Sequence, residues 1–152
     1  MNVKRRLRWD PASAPTFWIN HASRLLMRHF EQRLRPLDLG MAYMPVAVAL
    51  EESGLLTQKR LAELRRVEQP TMAVLLGRME RDGIISRQTH PLDRRASQIS
   101  LTAKGKASLP AAKEQLAAVV EQALSGISKQ ERLVLLELLR RVVSNLDQST
   151  EE

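Results

Sequence analysis

Two short segments of this 152-residue chain combine side chains that could contact a nucleic acid. In the first segment, residues four, seven and eight positions after Pro70 share one face of a predicted helix with it. The sizes and polarity of the side chains on this face suit a surface that approaches a DNA groove. The residues at this surface are Gln69, Pro70, Thr71, Val74, Gly77 and Arg78. Arg78 could bind a guanine edge or a phosphate, and the polar groups at the helix N-terminus could bind base edges or phosphates. The alternative is that this face is only solvated.

The second segment is a turn between two short β-like runs, and it carries Asp93, Arg94 and Arg95. Asp93 lies two residues before Arg95, close enough in sequence to orient the guanidinium through a charge-assisted hydrogen bond. An oriented arginine on a protruding turn suits a narrow minor groove, where the negative potential is enhanced. The alternative is an ordinary β-turn with a salt bridge. The place of this turn, directly after a predicted helix-turn-helix, favours DNA binding.

Other kinds of chemistry have little support in the sequence. His21 and His29 are eight residues apart on one predicted helix, about 12 Å of rise, which is too far for both to bind one metal ion. The chain has no cysteine, which excludes a disulfide framework, a cysteine zinc site and a thiol nucleophile. It also has no G-x-S-x-G, P-loop or G-x-G-x-x-G motif. We therefore expect no enzymatic activity, no metal and no cofactor.

Four helices are predicted before the strands. Apolar residues recur at three- and four-residue spacing in a first helix over 16–35, and Pro45 and Gly54 bound a second. Thr57 is a candidate N-cap for the third helix. The residues predicted on the buried side of the third helix are Leu61, Ala62 and Leu64. A turn of three residues joins the third helix to the fourth, and these are the dimensions of a helix-turn-helix.

The elements that follow complete a winged-helix layout. The runs 84–89 and 96–102 predict a two-stranded hairpin next to the helix-turn-helix. Thr102 is a candidate cap for a fifth helix, and Ser128 with Glu131 forms a capping-box pattern for a sixth. The helices that flank the winged helix are more apolar than a monomer of this size requires. We therefore expect them to pair in a two-fold dimer.

The expected fold is mainly α with a small β-hairpin, a winged helix-turn-helix with N- and C-terminal dimerisation helices. We expect a basic flexible arm at 1–15, dimerisation helices at 16–36 and 103–148, and a winged helix-turn-helix DNA-binding domain at 37–102.

Positive charge is concentrated in two parts of the chain. Of the formal net charge of +7, residues 1–36 carry +6, residues 37–58 carry −3, residues 59–95 carry +4 and residues 96–152 carry none. A basic surface of this kind attracts phosphates, although it also keeps a protein soluble. No apolar run approaches the roughly 18 residues of a membrane span, so we expect a cytoplasmic protein.

The stretch from Leu61 to Gly105 resembles the winged-helix core of MarR-type transcription regulators, particularly the SlyA-like branch. The most specific motifs are D-R-R-x-x-x-I-x-L-T-x-K-G, from Asp93 to Gly105, and R-M-E-R-D-G-I-I-S-R, from Arg78 to Arg87. The order of the helices before and after these motifs also fits, so the resemblance covers nearly the whole chain.

The resemblance implies an obligate homodimer on a pseudo-palindromic site in double-stranded DNA, with the fourth helix in a major groove and the wing in a minor groove. It makes Arg95 the minor-groove residue and Asp93 the residue that orients it, with Arg94 beside them. The major-groove residues that it implies are Gln69, Pro70, Thr71, Val74 and Arg78. Family members often bind small aromatic acids or phenolic compounds and release DNA when they do.

Five residues bear on ligand and sequence preference. For a ligand pocket, the first helix offers Trp18, His21 and Arg24, whose alternative role is in the dimer or at the surface. His90 stands where an acidic residue often precedes the proline of the wing. Val74 stands where SlyA-like proteins can have arginine, so that an apolar contact with a thymine methyl replaces a polar base contact.

Two other functions are compatible with a winged helix. One is a low-selectivity architectural DNA binder that opposes chromosome-compacting proteins, for which specific and non-specific affinities differ little. The other is a winged-helix module that binds another protein, for which DNA affinity is negligible.

Overall fold

The computed structural model describes residues 10–92 and 97–148, and the chain divides into two units, residues 1–119 and 120–152. The helices are α1 (Pro15–Leu34), α2 (Met44–Ser53), α3 (Gln58–Arg65), α4 (Gln69–Arg81), α5 (Ala103–Ala123) and α6 (Lys129–Gln148). The strands are β1 (Leu56–Thr57), β2 (Ile85–Thr89) and β3 (Ser97–Leu101), and short 3₁₀ helices occupy Pro11–Ser13 and Arg35–Leu37. This architecture confirms the predicted winged helix-turn-helix fold. No helix among the residues described is both long and apolar enough to cross a membrane.

The residues just before α1 fold onto its first turns. Asp10 Oδ1 accepts a hydrogen bond from the backbone N–H of Ala12 at 3.1 Å, and the indole Nε1 of Trp18 donates to the carbonyl oxygen of Ala12 at 2.8 Å. Part of the predicted flexible arm over 1–15 is therefore a hydrogen-bonded turn, because Asp10 and Trp18 both bind Ala12. Residues 1–9 of that arm lie outside the described residues.

The helix-turn-helix begins with a capped helix and a strand that the sequence analysis missed. Thr57 caps α3 as predicted, because its hydroxyl accepts a hydrogen bond from the backbone N–H of Arg60 at 3.2 Å. Residues Leu56–Thr57 also form β1, and two residues are too few to show a strand periodicity. Leu64 is 46% exposed, so its predicted burial is wrong. It lies in the last turn of this eight-residue helix, beyond Leu61 and Ala62, which do reach the core.

The sheet is antiparallel, in the order β1-β3-β2. In the β2–β3 hairpin, the paired residues run from Ile85 with Leu101 to Thr89 with Ser97. The predicted hairpin is therefore confirmed, and β1 adds a third strand on the other side of β3.

Glycines allow α4, the sheet and α5 to meet closely. Gly83 has a φ of +73° and lets the chain leave α4 for the sheet. Thr102 caps α5, since its hydroxyl donates to the carbonyl oxygen of Gly83 at 2.6 Å and accepts from the backbone N–H of Gly105 at 3.0 Å. A Cβ on Gly105 would overlap the carbonyl oxygen of Ile84. The first turn of α5 therefore packs directly on the backbone that leads into β2.

The core of the first unit is aliphatic and includes part of α5. Its completely buried residues include Leu34, Val46, Leu61, Met72, Leu76, Met79, Ile84, Ile99 and Leu109. Leu109 and Ala112 of α5 belong to this core. The packing of the winged helix thus continues past the predicted boundary at 102/103, and the first unit ends at residue 119.

The second unit contains the end of α5 and all of α6. Ser128 and Glu131 form the predicted capping box: the N–H of Ser128 donates to Glu131 Oε2 at 2.8 Å, and the hydroxyl of Ser128 accepts from the N–H of Glu131 at 3.3 Å. The hydrogen bonds from Ser128 lower the pKa of Glu131. Arg132 donates to the carboxylate of Glu121 at 3.0 Å and to two backbone carbonyl oxygens of the turn.

The apolar side of α6 is exposed in the single chain. None of residues 129–147 is buried. The large apolar residues exposed on this helix are Leu133, Val134, Leu135, Leu136, Leu138, Leu139, Val143 and Leu146. Hydrophobic burial within the chain therefore stabilises this helix little.

Candidate nucleic-acid interface

The side of α4 that the sequence predicts to face DNA lies on the surface. The residues of this surface are Gln69, Pro70, Thr71, Val74, Gly77 and Arg78, all exposed. Val74 is 58% exposed, whereas Met72, Leu76 and Met79 on the opposite side are completely buried. A Cβ added at Gly77 would meet no atom within 4 Å. The predicted orientation of α4 is confirmed, and DNA contact by its exposed residues stays a prediction.

Hydrogen bonds hold the C-terminal end of α4. The hydroxyl of Tyr43 donates to Asp82 Oδ2 at 2.7 Å. Lys104 Nζ donates to the carbonyl oxygen of Asp82 at 3.0 Å and to Asp38 Oδ2 at 2.9 Å. Burial, and then the hydrogen bond to Asp82, raise the pKa of Tyr43 to about 12, and the same hydrogen bond lowers the pKa of Asp82. These contacts tie α4 to the chain before α2 and to the first turn of α5.

A chain of hydrogen bonds runs from Glu80, near the C-terminal end of α4, to Gln69 at its N-terminal end. Arg87 Nε on β2 donates to Glu80 Oε2 at 3.0 Å, and Arg87 Nη1 donates to Gln58 Oε1 at 3.3 Å. Gln58 Nε2 then donates to Gln69 Oε1 at 3.1 Å. Gln58 and Arg87 are not among the predicted site residues, because a contact between residues 29 positions apart leaves no local pattern.

The predicted wing residues Asp93, Arg94 and Arg95 lie outside the described residues. The last described pair of the hairpin is Thr89 with Ser97, so residues 90–96 connect the two strands. In the described part of this connection, the N–H of Leu92 donates to His90 Nδ1 at 3.2 Å. The roles of the three wing residues therefore stay predictions.

The residues predicted to line a ligand pocket lie together on α1. The ring centroids of Trp18 and His21 are 6.2 Å apart in an edge-on arrangement, and Arg24 Nη2 lies 3.3 Å from His21 Nδ1. Phe17 stacks on His21 with a centroid distance of 6.2 Å. Phe17 is not among the predicted residues, although its i, i+4 spacing from His21 indicates the contact. Trp18 is 56% exposed, so these side chains form a surface cluster.

A separate open cleft of 620 Å³ lies beside α4. Its lining includes Arg35, Arg78 and Lys104 together with Tyr43, and none of the three predicted pocket residues lines it. The sequence does not predict this cleft, because its residues come from distant parts of the chain.

Comparison with known proteins identifies relatives of this fold. A sequence model of the MarR family matches residues 37–96. A probable transcriptional regulator from Pseudomonas aeruginosa is 26% identical with a TM-score of 0.75, over 88% of this chain and 99% of that chain. A mutant MarR from E. coli, complexed with operator DNA, is 21% identical with a TM-score of 0.72, over 82% of this chain and 90% of that one. BpsR from Bordetella bronchiseptica, whose DNA binding is regulated by 6-hydroxynicotinic acid, is 19% identical with a TM-score of 0.74, over 89% and 96%.

Proposed function

We propose that this chain, which belongs to the MarR family through residues 37–96, is a dimeric, sequence-specific DNA-binding transcription regulator that binds a pseudo-palindromic site. The observation that carries the proposal is the exposed face of α4, where mostly small and polar side chains project opposite the completely buried Met72, Leu76 and Met79. In this proposal α4 enters a major groove. Arg95 enters a minor groove, oriented by Asp93. The mutant MarR from E. coli, which has a similar fold, is complexed with operator DNA.

The test is an anisotropy titration of the purified chain on DNA from upstream of its own gene and on scrambled DNA, across a salt series. We expect selective binding that weakens as salt rises, because cationic side chains displace counterions from phosphates. Arg95→Ala should weaken specific binding at least tenfold, about 1.4 kcal/mol. Lys129→Ala removes an exposed cation at the start of α6 and serves as the matched control. It should leave the affinity nearly unchanged.

Three outcomes would contradict the proposal in different ways. Equal, weak binding to both DNAs that Arg95→Ala leaves unchanged would exclude a specific regulator. Strong binding with a small ratio of specific to non-specific affinity would indicate the architectural DNA binder. Negligible DNA affinity would indicate the protein-binding module.

The exposed side of α6 supports the dimer. Leu139, Val143 and Leu146 are spaced along one stripe and are 36%, 57% and 65% exposed. A contiguous apolar surface of this kind marks an interaction site, and a two-fold contact would present the same surface on both copies. A symmetric dimer also fits a pseudo-palindromic DNA site.

Sedimentation equilibrium tests the dimer. The full chain should sediment as a dimer, and Leu139→Asp should dissociate it because a charge would replace a leucine in the contact. Leu92→Asp makes the same change at a leucine that is 92% exposed, and it should remain dimeric. A monomeric wild-type chain, or a dimeric Leu139→Asp, would contradict this assignment.

The cluster on α1 supports a small aromatic or phenolic ligand. An aromatic acid could stack on the ring of Trp18 or of His21 and meet the other ring edge-on, while its carboxylate pairs with Arg24. BpsR, which is similar in fold, is regulated by an aromatic acid of this class. A bound ligand would release DNA only if it preferred a spacing of the two α4 helices other than the groove repeat of about 34–36 Å.

Tryptophan fluorescence tests the ligand. The chain has two tryptophans, so Trp9→Phe isolates the signal of Trp18. Titration with 6-hydroxynicotinate or salicylate should quench this signal, and Arg24→Met should weaken the effect while Arg28→Met should not. Release of DNA by these compounds without a change at Trp18 would contradict this lining.

A further inference from the structure

We propose that Arg87 and Gln58 are positioning residues that turn the side-chain amide of Gln69 with its NH₂ group toward DNA. At this position α4 then recognises hydrogen-bond acceptors. The inference rests on the proposed function and adds two residues that lie off the exposed face of α4. It concerns the polarity of one contact, which residue identity alone does not determine, since a glutamine amide both donates and accepts.

Arg87 determines how the side-chain amide of Gln58 is oriented. A guanidinium has only donors, so the group of Gln58 that faces Arg87 Nη1 at 3.3 Å must be its carbonyl oxygen. This orientation leaves the NH₂ group of Gln58 on its other side, where it donates to Gln69 Oε1 at 3.1 Å. The carbonyl oxygen of Gln69 is thereby engaged within the protein. Among the residues that the structure describes, no hydrogen bond engages the NH₂ group of Gln69.

The series of hydrogen bonds is held firmly at Arg87, where it begins. Arg87 Nε donates to Glu80 Oε2 at 3.0 Å, and only 26% of the Arg87 side chain is exposed. Gln58 is half-buried, whereas Gln69 is exposed at the N-terminus of α4. The amide orientation is thus fixed at the partly buried end and presented at the exposed end.

The chemistry of DNA defines what such an amide can bind. Its NH₂ group can donate to guanine O6 or N7, to adenine N7, to thymine O4 or to a phosphate oxygen. It cannot accept from the amino groups of cytosine or adenine. A base contact would therefore favour acceptor-bearing edges at one position of each half-site, whereas a phosphate contact would add affinity without sequence preference.

Gln58→Glu tests the polarity directly. A carboxylate still accepts from Arg87 but cannot donate to Gln69. Gln69 must therefore turn its NH₂ group toward the introduced carboxylate and present its carbonyl oxygen to DNA. We expect Gln58→Glu to weaken binding to the preferred wild-type site about tenfold more than its control does, which is within the range of one good contact. The control is Gln88→Glu, which adds the same charge at an exposed position of β2.

A double-mutant cycle with Gln69→Ala separates orientation from charge. In the Gln69→Ala background, the loss caused by Gln58→Glu should shrink to that of Gln88→Glu. Selection from randomised duplexes then distinguishes the two sources of acceptor. A switch at one base position toward cytosine or adenine identifies a base edge, and a uniform loss over all sequences identifies a phosphate. Melting curves by circular dichroism verify that each variant is folded.

An equal loss from Gln58→Glu with and without the Gln69 side chain would overturn the inference. It would leave the proposed function intact, because the wild-type chain would still bind DNA selectively. A wild-type chain without selective DNA binding would overturn both. Arg87→Met supplies an independent variant, since it removes the donor that orients Gln58, and it should relax the preference at the same position.

Discussion

Helices α4 and α6 both carry an apolar side, but only that of α4 is covered within the single chain. Met72, Leu76 and Met79 on α4 are completely buried, whereas Leu139 and Leu146 on α6 are 36% and 65% exposed. The apolar side of α4 is part of one chain's core, so it orients the opposite face of the helix toward solvent. The apolar side of α6 is available to another molecule. The two helices therefore illustrate two uses of the same pattern, positioning and assembly.

Two leucine substitutions offer the strongest test of this contrast. Leu76→Ala should lower the free energy of unfolding by about 2–5 kcal/mol, the cost of a cavity in a packed core, without changing the dimer dissociation constant. Leu139→Ala should raise the dimer dissociation constant. Urea unfolding measures the first quantity and sedimentation equilibrium the second.

Leu92→Ala is the control for both measurements, because Leu92 is 92% exposed and its truncation should change stability by less than about 0.5 kcal/mol. An unchanged dissociation constant in Leu139→Ala would mean that the exposed side of α6 does not mediate assembly.

A second test targets the contact of Gly105, in the first turn of α5, with the backbone of Ile84 between α4 and β2. Alanine normally stabilises a helix relative to glycine, but a Cβ on Gly105 would overlap the carbonyl oxygen of Ile84. Gly105→Ala should therefore destabilise the chain by about 1–3 kcal/mol, as overpacking does. Thermal unfolding followed by circular dichroism gives the sign. A stabilised variant would mean that α5 does not pack on this backbone.

The contrast also marks how far the sequence could predict the fold and the site. Helix periodicity, the Thr57 cap and the capping box of Ser128 with Glu131 are local, and each correctly predicted an element. The exposed face of α4 followed from the same periodicity. These features could be predicted because spacing along a helix determines which residues share a face.

Features that depend on residues far apart in the sequence could not be predicted. β1 is too short to show a pattern, and Leu64 was wrongly predicted to be buried because periodicity does not reveal where the core ends. The contact of Gln58 with Arg87 joins α3 to β2, and only the folded chain brings them together. The same holds for Tyr43 and Asp82, which are 39 residues apart.

Two contacts should respond differently to pH: the hydrogen bond of Tyr43 to Asp82, which anchors α4, and the capping box of Ser128 with Glu131, which anchors α6. Tyr43 is the only tyrosine in the chain, and its pKa rises from 10.0 to about 12. A raised pKa favours the protonated phenol in the folded state, so its contribution is complete below pH 10 and is lost as the pH rises toward 12. The lowered pKa values of Asp82 and Glu131 act on the acid side, where stability is lost as the pH falls below the unfolded value of about 4.

Tyr43→Phe separates the two anchors. It should lower the free energy of unfolding at neutral pH by about 0.5–1.5 kcal/mol, the net value of a hydrogen bond, and it should remove the Tyr43 contribution to the alkaline loss. Glu131→Gln should change only the acid side. Urea unfolding of the three proteins from acid to alkaline pH measures both effects, and an identical alkaline loss in wild type and Tyr43→Phe would contradict the assigned anchor.

The last prediction concerns the exposed face of α4, and its expected change in stability is small and has the opposite sign. A Cβ at Gly77 would meet no protein atom within 4 Å, so Gly77→Ala should stabilise the chain by about 0.5–1 kcal/mol through helix propensity. If this face enters a major groove, the added methyl group occupies space that the groove needs, and DNA affinity should fall. Opposed signs in one variant, measured by thermal unfolding and anisotropy, cannot come from damage to the fold. A more stable chain with unchanged affinity would mean that DNA does not approach α4 at Gly77, and the contacts would then have to lie nearer to Gln69 and Thr71.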